Sequence, residues 1–220
     1  MEYELADQLN QAFEVEGCFY KVEVNGSIFD CRSQVKINRK HRPKTKGVDA
    51  FFILTNPGSC KPEQADYSFP LVKTAREQTA FVAAKSDPTQ HQMMRLMNVK
   101  SWNQVAIINL SDIRCSNMKD FQNKLAAAAD QSFHHHSIFY KTRAEELTQA
   151  LQTCNGLVII GWGTNNCVRP LAQQALSTLK RQGIQLKGLK HKISPFYYHP
   201  NSQLKKRKID WLEKIGSLVG

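Results

Sequence analysis

Four short segments of the chain carry side chains suited to chemistry on a polar, planar ligand. They are Thr55-Asn56-Pro57-Gly58-Ser59, the stretch 109–114 from Asn109 to Arg114, Gly161-Trp162-Gly163-Thr164, and His199-Pro200-Asn201-Ser202. An asparagine presents a donor and an acceptor in one plane, which suits reading the edge of a heterocycle. A histidine changes charge near neutrality, so it can hold or give a proton there. Each segment also has a structural interpretation. Asn-Pro-Gly shapes turns on any fold, and Trp162 or Phe69 can simply fill a core.

What would bring the segments together is the elements before them. Residues 48–54, 105–110 and 157–163 are continuous apolar runs. Such runs mark strands buried on both faces, as in parallel sheets. A fourth, less regular candidate is 193–198, ending at His199-Pro200. Helical patterns separate the runs: one from Asp87-Pro88-Thr89 to Met97, one capped by Asn117, and others over 141–152, 168–181 and 202–218. Upstream, apolar spacing over 3–16 predicts a helix, and Asn25-Gly26 predicts a type I′ hairpin turn. The alternation predicts a single α/β domain over 1–220: a three-layer α/β/α sandwich around a mostly parallel four-stranded sheet. Residues 1–47 would add a helix, a hairpin and a basic loop at its edge, with 48–220 forming the sandwich. Ligands of such sheets bind beyond the carboxyl ends of the strands, where all four segments would lie.

Composition narrows the partners. The 220 residues carry a net charge of +11, concentrated in two places. Residues 32–46 hold seven Lys/Arg and no acid; residues 180–214 hold ten and two acids. Clustered basic charge points to a polyanion, nucleic acid above all, against the plainer reading of solvated loops and helix faces. No apolar run reaches the ~18–20 residues of a membrane span, and residues 1–16 lack the pattern of a signal peptide. The expected location is cytoplasmic, with no membrane association and six reduced, scattered cysteines. His134-His135-His136 does not suggest a metal, because adjacent side chains diverge. No cofactor is expected. Asp87 and Asp112 read as structural, and Cys60 as incidental.

The motifs resemble the domain of unknown function 1643 family. Its pattern matches Asn56-Pro57-Gly58, Asp87-Pro88-Thr89, Asn109-Leu110, Trp162-Gly163 and His199-Pro200 in order. More remotely, the chain resembles the uracil-DNA glycosylase superfamily across roughly 48–215. Thr55-Asn56-Pro57-Gly58 looks like its first motif, Ile107-Ile108-Asn109 like the strand end that reads the base, and His199-Pro200-Asn201-Ser202 like its late histidine motif. The second resemblance implies a glycosylase-like fold and excision of a flipped base.

It also implies roles. Phe69 would stack on the base, Asn109 would read its edge, and Gly58, Ser59 and Trp162 would shape the base site. Asn56 would hold the attacking water, and His199 would donate to the departing base. Apart from the resemblance, Arg114 suits a phosphate or a carboxylate, and Ser202, Lys205, Lys206, Arg207 and Lys208, which follow the histidine motif, suit backbone phosphates. The sequence departs from that family by lacking the aspartate of its fastest branch, which predicts slow or narrow activity. It also lacks the bulky residue after Pro57 that excludes larger bases, and Leu204 sits one residue beyond the position of the duplex wedge. Two other functions fit the same residues: non-catalytic binding of nucleic acid, and chemistry on free nucleosides or nucleotides.

Overall fold

The structure is a computed structural model describing residues 3–43, 47–77 and 79–220. Lys44 and Lys46 of the first basic segment, and Met1 and Glu2 of the leader reading, lie outside the described residues. Among the described residues no helix is long and apolar enough to cross a membrane. All six cysteines are free.

Among the described residues, one nine-stranded mixed sheet organises the fold. Its parallel half contains β3 (Ala50–Leu54), β7 (Gln104–Asn109), β8 (Val158–Ile160) and β9 (Leu186–Lys187), in the order β7-β3-β8-β9. Every residue of β3, β7 and β8 is buried, as their unbroken apolar runs require. The other half is largely antiparallel. β1 (Phe13–Val24) and β2 (Ser27–Arg39) form a long hairpin, with Asn25 and Gly26 at φ 48° and 80°. Both angles lie in the left-handed region, as the type I′ turn demands. β2 pairs with β7 from Val35↔Ile107 to Asn38↔Gln104. β4 (Lys61–Pro62) pairs with β6 (Phe81–Lys85), and β6 and β5 (Leu71–Val72) pair with β1.

The expectation of a four-stranded sheet with an attached hairpin is therefore corrected. The hairpin continues the sheet because its inner strand satisfies the free backbone edge of β7. The predicted strand at 193–198 is not one: Pro195 lacks an N–H and interrupts any ladder. That segment makes only isolated bridges, Gly163↔Tyr197 and Lys190↔Tyr197, and β9 takes the edge position instead. The first helix, α1 (Ala6–Ala12), is also shorter than the pattern over 3–16 suggested, since β1 begins at Phe13.

Helices cover both faces. α3 (Met118–Asp130), α4 (Ala144–Gln152) and α5 (Arg169–Arg181) bury Phe121, Leu147 and Leu179 on one face. α1, α2 (Pro88–Lys100) and α6 (Lys205–Leu218) bury Leu9, Met93 and Trp211 on the other. In chain order the parallel strands run second, first, third, fourth across the sheet. The connection from β3 runs to β7 on one side and the next returns past β3 to β8 on the other, opening a crevice beyond the carboxyl ends of β3 and β8.

Candidate functional site

A cavity of about 570 Å³ fills that crevice. The turn after β3 supplies Asn56 and Gly58, the end of β7 supplies Asn109, and the turn after β8 supplies Trp162 and Gly163. His199 closes one side. Thr55 Oγ1 donates to Trp162 O at 2.6 Å, tying the two strand ends together. Gly161 lets the 198–200 segment approach, because a Cβ there would sit 3.0 Å from Pro200 Cδ and 3.3 Å from Tyr198 O. The Gly163 N–H completes the junction by donating to Tyr197 O at 2.8 Å. The late histidine is thus held by packing against β8, without being on a strand.

His199 Nδ1 accepts from the Asn201 N–H at 3.1 Å. Its ring proton therefore belongs on Nε2, where it can be donated. Burial lowers its pKa to about 4, against smaller opposing effects of the Asn201 hydrogen bond and Asp87. At neutral pH the ring is an uncharged donor. Asn56 Nδ2 donates to Cys115 O at 2.6 Å, which orients the amide and leaves Oδ1 as its acceptor. Asn109 is fully buried, and neither its Oδ1 nor its Nδ2 has a hydrogen-bond partner. A buried amide with both ends unpaired is costly unless a ligand or water completes it.

Two charged residues that sequence reasoning passed over also line the cavity: Arg32 and Asp87. Asp87 caps α2, its Oδ1 accepting from Thr89 N at 2.9 Å and Gln90 N at 3.0 Å. Oδ2 lies beside Gly58, where a Cβ would come within 2.8 Å of it. Gly58 has φ +65°, so both backbone and space favour glycine. Arg32 is 2% exposed, and its Nε and Nη1 have no partner. The Asp-Pro-Thr cap was visible in sequence, but its second oxygen facing the cavity was not. Arg32 was masked by its place in a basic run.

The other predicted site residues are placed differently. Trp162 lines the cavity, but its indole N–H is committed to Pro195 O at 2.9 Å and its ring packs edge-on to Tyr197. Phe69 lies outside the cavity, packed on Phe19 and Tyr67 at 5.6 and 5.7 Å between ring centroids. Arg114 sits over Phe69 and Phe19, and its Nη2 donates to Cys60 O at 2.8 Å. Burial and the neighbouring Arg32 cation lower its pKa. Ser59 is exposed beyond the cavity.

Ser202 and Arg207 line a second groove of about 880 Å³, with Lys190 and Lys214. This groove shares Gly163, Thr164 and His199 with the cavity. Lys205 and Lys206 open α6 on the exposed surface, with Lys205 Nζ 5.2 Å above the Tyr3 ring. Among the described residues of the first basic segment, only Arg32 lines the cavity. β2 runs antiparallel to β7, so Arg39 ends near Asn103, at the opposite end of the sheet. Seven residues of strand carry it roughly 23 Å away.

The match to known families follows the same elements. The family described as protein of unknown function (DUF1643) matches residues 77–201, more than half of the chain. The chain belongs to that family. The matched region spans Asp87, Asn109, Trp162 and His199; Arg32 and Asn56 precede it. No curated protein matches the chain. Among solved structures, the S954A mutant of the feruloyl esterase module from Clostridium thermocellum, complexed with sinapinate, aligns at 10% identity. It covers 84% of this chain and 68% of that one with a TM-score of 0.29, too low to bear on fold or activity.

Proposed function

We propose that the chain binds nucleic acid, with DNA favoured, and that its cavity receives a flipped base whose N-glycosidic bond it hydrolyses. The observation that carries this is the meeting of Asn56, Asn109 and His199 in one cavity at the switch point of the sheet. These are the positions to which the glycosylase resemblance gives the water, base-edge and leaving-group roles. Asn109 offers the paired donor and acceptor that a base edge needs. His199 Nε2–H would donate to the oxygen on which negative charge develops as the bond breaks, a role best filled by a neutral ring. Asn56 Oδ1 would hold the water, with Asp87 Oδ2 in the same wall as a stronger acceptor. The groove with Lys190, Arg207 and Lys214 would take the strand's phosphates, although Asp210 pairs with Lys214 there at 2.9 Å.

The test uses purified protein with single- and double-stranded DNA carrying uracil, hypoxanthine or oxidised bases, followed by alkali. Strand scission that disappears in His199→Ala supports excision. Folded protein that cuts none of these substrates removes it. Salt-sensitive binding that survives His199→Ala without scission would leave a non-catalytic binder. A second reading, chemistry on a free nucleotide, is favoured by the buried cation in the cavity wall.

A further inference from the structure

We infer that the cavity is built to hold a phosphomonoester at Arg32. The starting point is a charge without a counter-charge. Arg32 is 2% exposed, two of its guanidinium nitrogens have no partner, and among the described residues no carboxylate lies within 4.0 Å. A buried, unpaired cation is unfavourable in the empty protein, and an anionic ligand would remove that penalty.

The surroundings are also cationic. Arg114 is close enough for the two guanidinium charges to repel, and its Nε is buried without a partner. Asp87 lines the same cavity without an ion pair to Arg32: its Oδ1 accepts from the first-turn N–H groups of α2 and its Oδ2 lies beside Gly58. The start of α3 adds a further donor surface. Ser116, Asn117 and Met118 line the cavity, and the Asn117 side chain caps only Asp120 N. The remaining first-turn N–H groups of this 13-residue helix have no partner within the helix. Two kinds of donor, a guanidinium and a helix start, suit a tetrahedral dianion with three acceptor oxygens better than a flat carboxylate.

The cavity is larger than phosphate alone. Resting on the reading of Asn109 as a base-edge reader, the phosphate would be attached to a nucleoside. A free nucleoside monophosphate and the phosphorylated end of a strand share this chemistry.

Titration calorimetry separates the possibilities, using inorganic phosphate, uridine monophosphate and an oligonucleotide with or without a 5′-phosphate. Phosphate should bind the wild type, and Arg32→Met should weaken it at least about 30-fold. Uridine monophosphate should bind at least tenfold tighter than phosphate. Preference for the mononucleotide over the phosphorylated strand assigns a free nucleotide; the reverse order assigns a strand end. If Arg32→Met fails to fold, phosphate should still raise the wild-type unfolding temperature over chloride at equal ionic strength. No phosphate binding, or equal binding by Arg32→Met, overturns the anion site. Arg32-dependent phosphate binding with no gain from the nucleoside keeps the anion site and removes the base-edge reading.

Discussion

The chain buries two arginines near the carboxyl rim, and they are treated in opposite ways. Arg143, 1% exposed, is fully engaged. Its Nη1 donates to Asp112 Oδ2 at 2.7 Å and to His135 O at 2.9 Å, while Nε and Nη2 take both oxygens of Glu146 at 2.7 Å. Tyr20 also donates to Asp112 Oδ2 at 2.8 Å. Arg32 is equally buried and has none of this. The same side chain thus serves as a lock in one place and as an unfilled socket in the other. Buried polar groups are normally satisfied. Among the buried atoms without partners, those of Arg32 and Asn109 line one cavity, which is why the proposed ligand is placed there; the Arg143 network, although Asp112 Oδ1 is itself unpaired, is closed by ion pairs.

The sharpest way to break this comparison is Arg143→Met. It strands the Asp112 carboxylate in the core and should cost ~3–5 kcal/mol in urea unfolding. The same experiment on the cavity side should change sign. Asn109→Leu removes an amide with no partner, so unliganded protein should gain ~1–2 kcal/mol while losing base binding. A loss of stability there would show that the amide is satisfied in solution and is part of the scaffold.

Acid should act on both regions. Burial lowers His136, beside the Arg143 network, and His199, in the cavity, each to about 4. The unfolded chain binds those protons more readily, so their stabilising contribution is complete above about pH 6.5 and fades as the pH falls toward 4. His136→Gln and His199→Gln should each flatten that part of the stability profile, the cavity variant by on the order of 1 kcal/mol after solvent screening. Excision by the wild type should show no loss attributable to His199 between pH 7 and 5. The smallest effect is expected at the junction of the strands. Thr55→Val deletes the hydrogen bond to Trp162 O and should cost about 1 kcal/mol, read as a lowered unfolding temperature.

Much of this architecture is legible in the sequence because it is local. The apolar runs of β3, β7 and β8, the Asn25-Gly26 turn and the Asp87 cap each declare themselves within a few residues. What stayed hidden is pairing between distant segments. Nothing near residues 27–39 says that β2 continues the sheet through β7, and that pairing is what buries Arg32 at the rim. Arg32 lies within the predicted hairpin strand rather than in the basic loop, and β2 buries both faces locally at Cys31 and Arg32. Phe69 shows the reverse error, since spacing after Asn56 could not reveal that its ring turns to Phe19.

The measurement closest to the central claim is urea unfolding of Arg32→Met, with and without phosphate. If Arg32 is a socket for an anion, the unliganded variant is as stable as the wild type or more so, and phosphate no longer raises its midpoint. If the variant instead loses several kcal/mol, as Arg143→Met should, and phosphate does not raise the wild-type midpoint, Arg32 is part of the scaffold and the cavity is not an anion site.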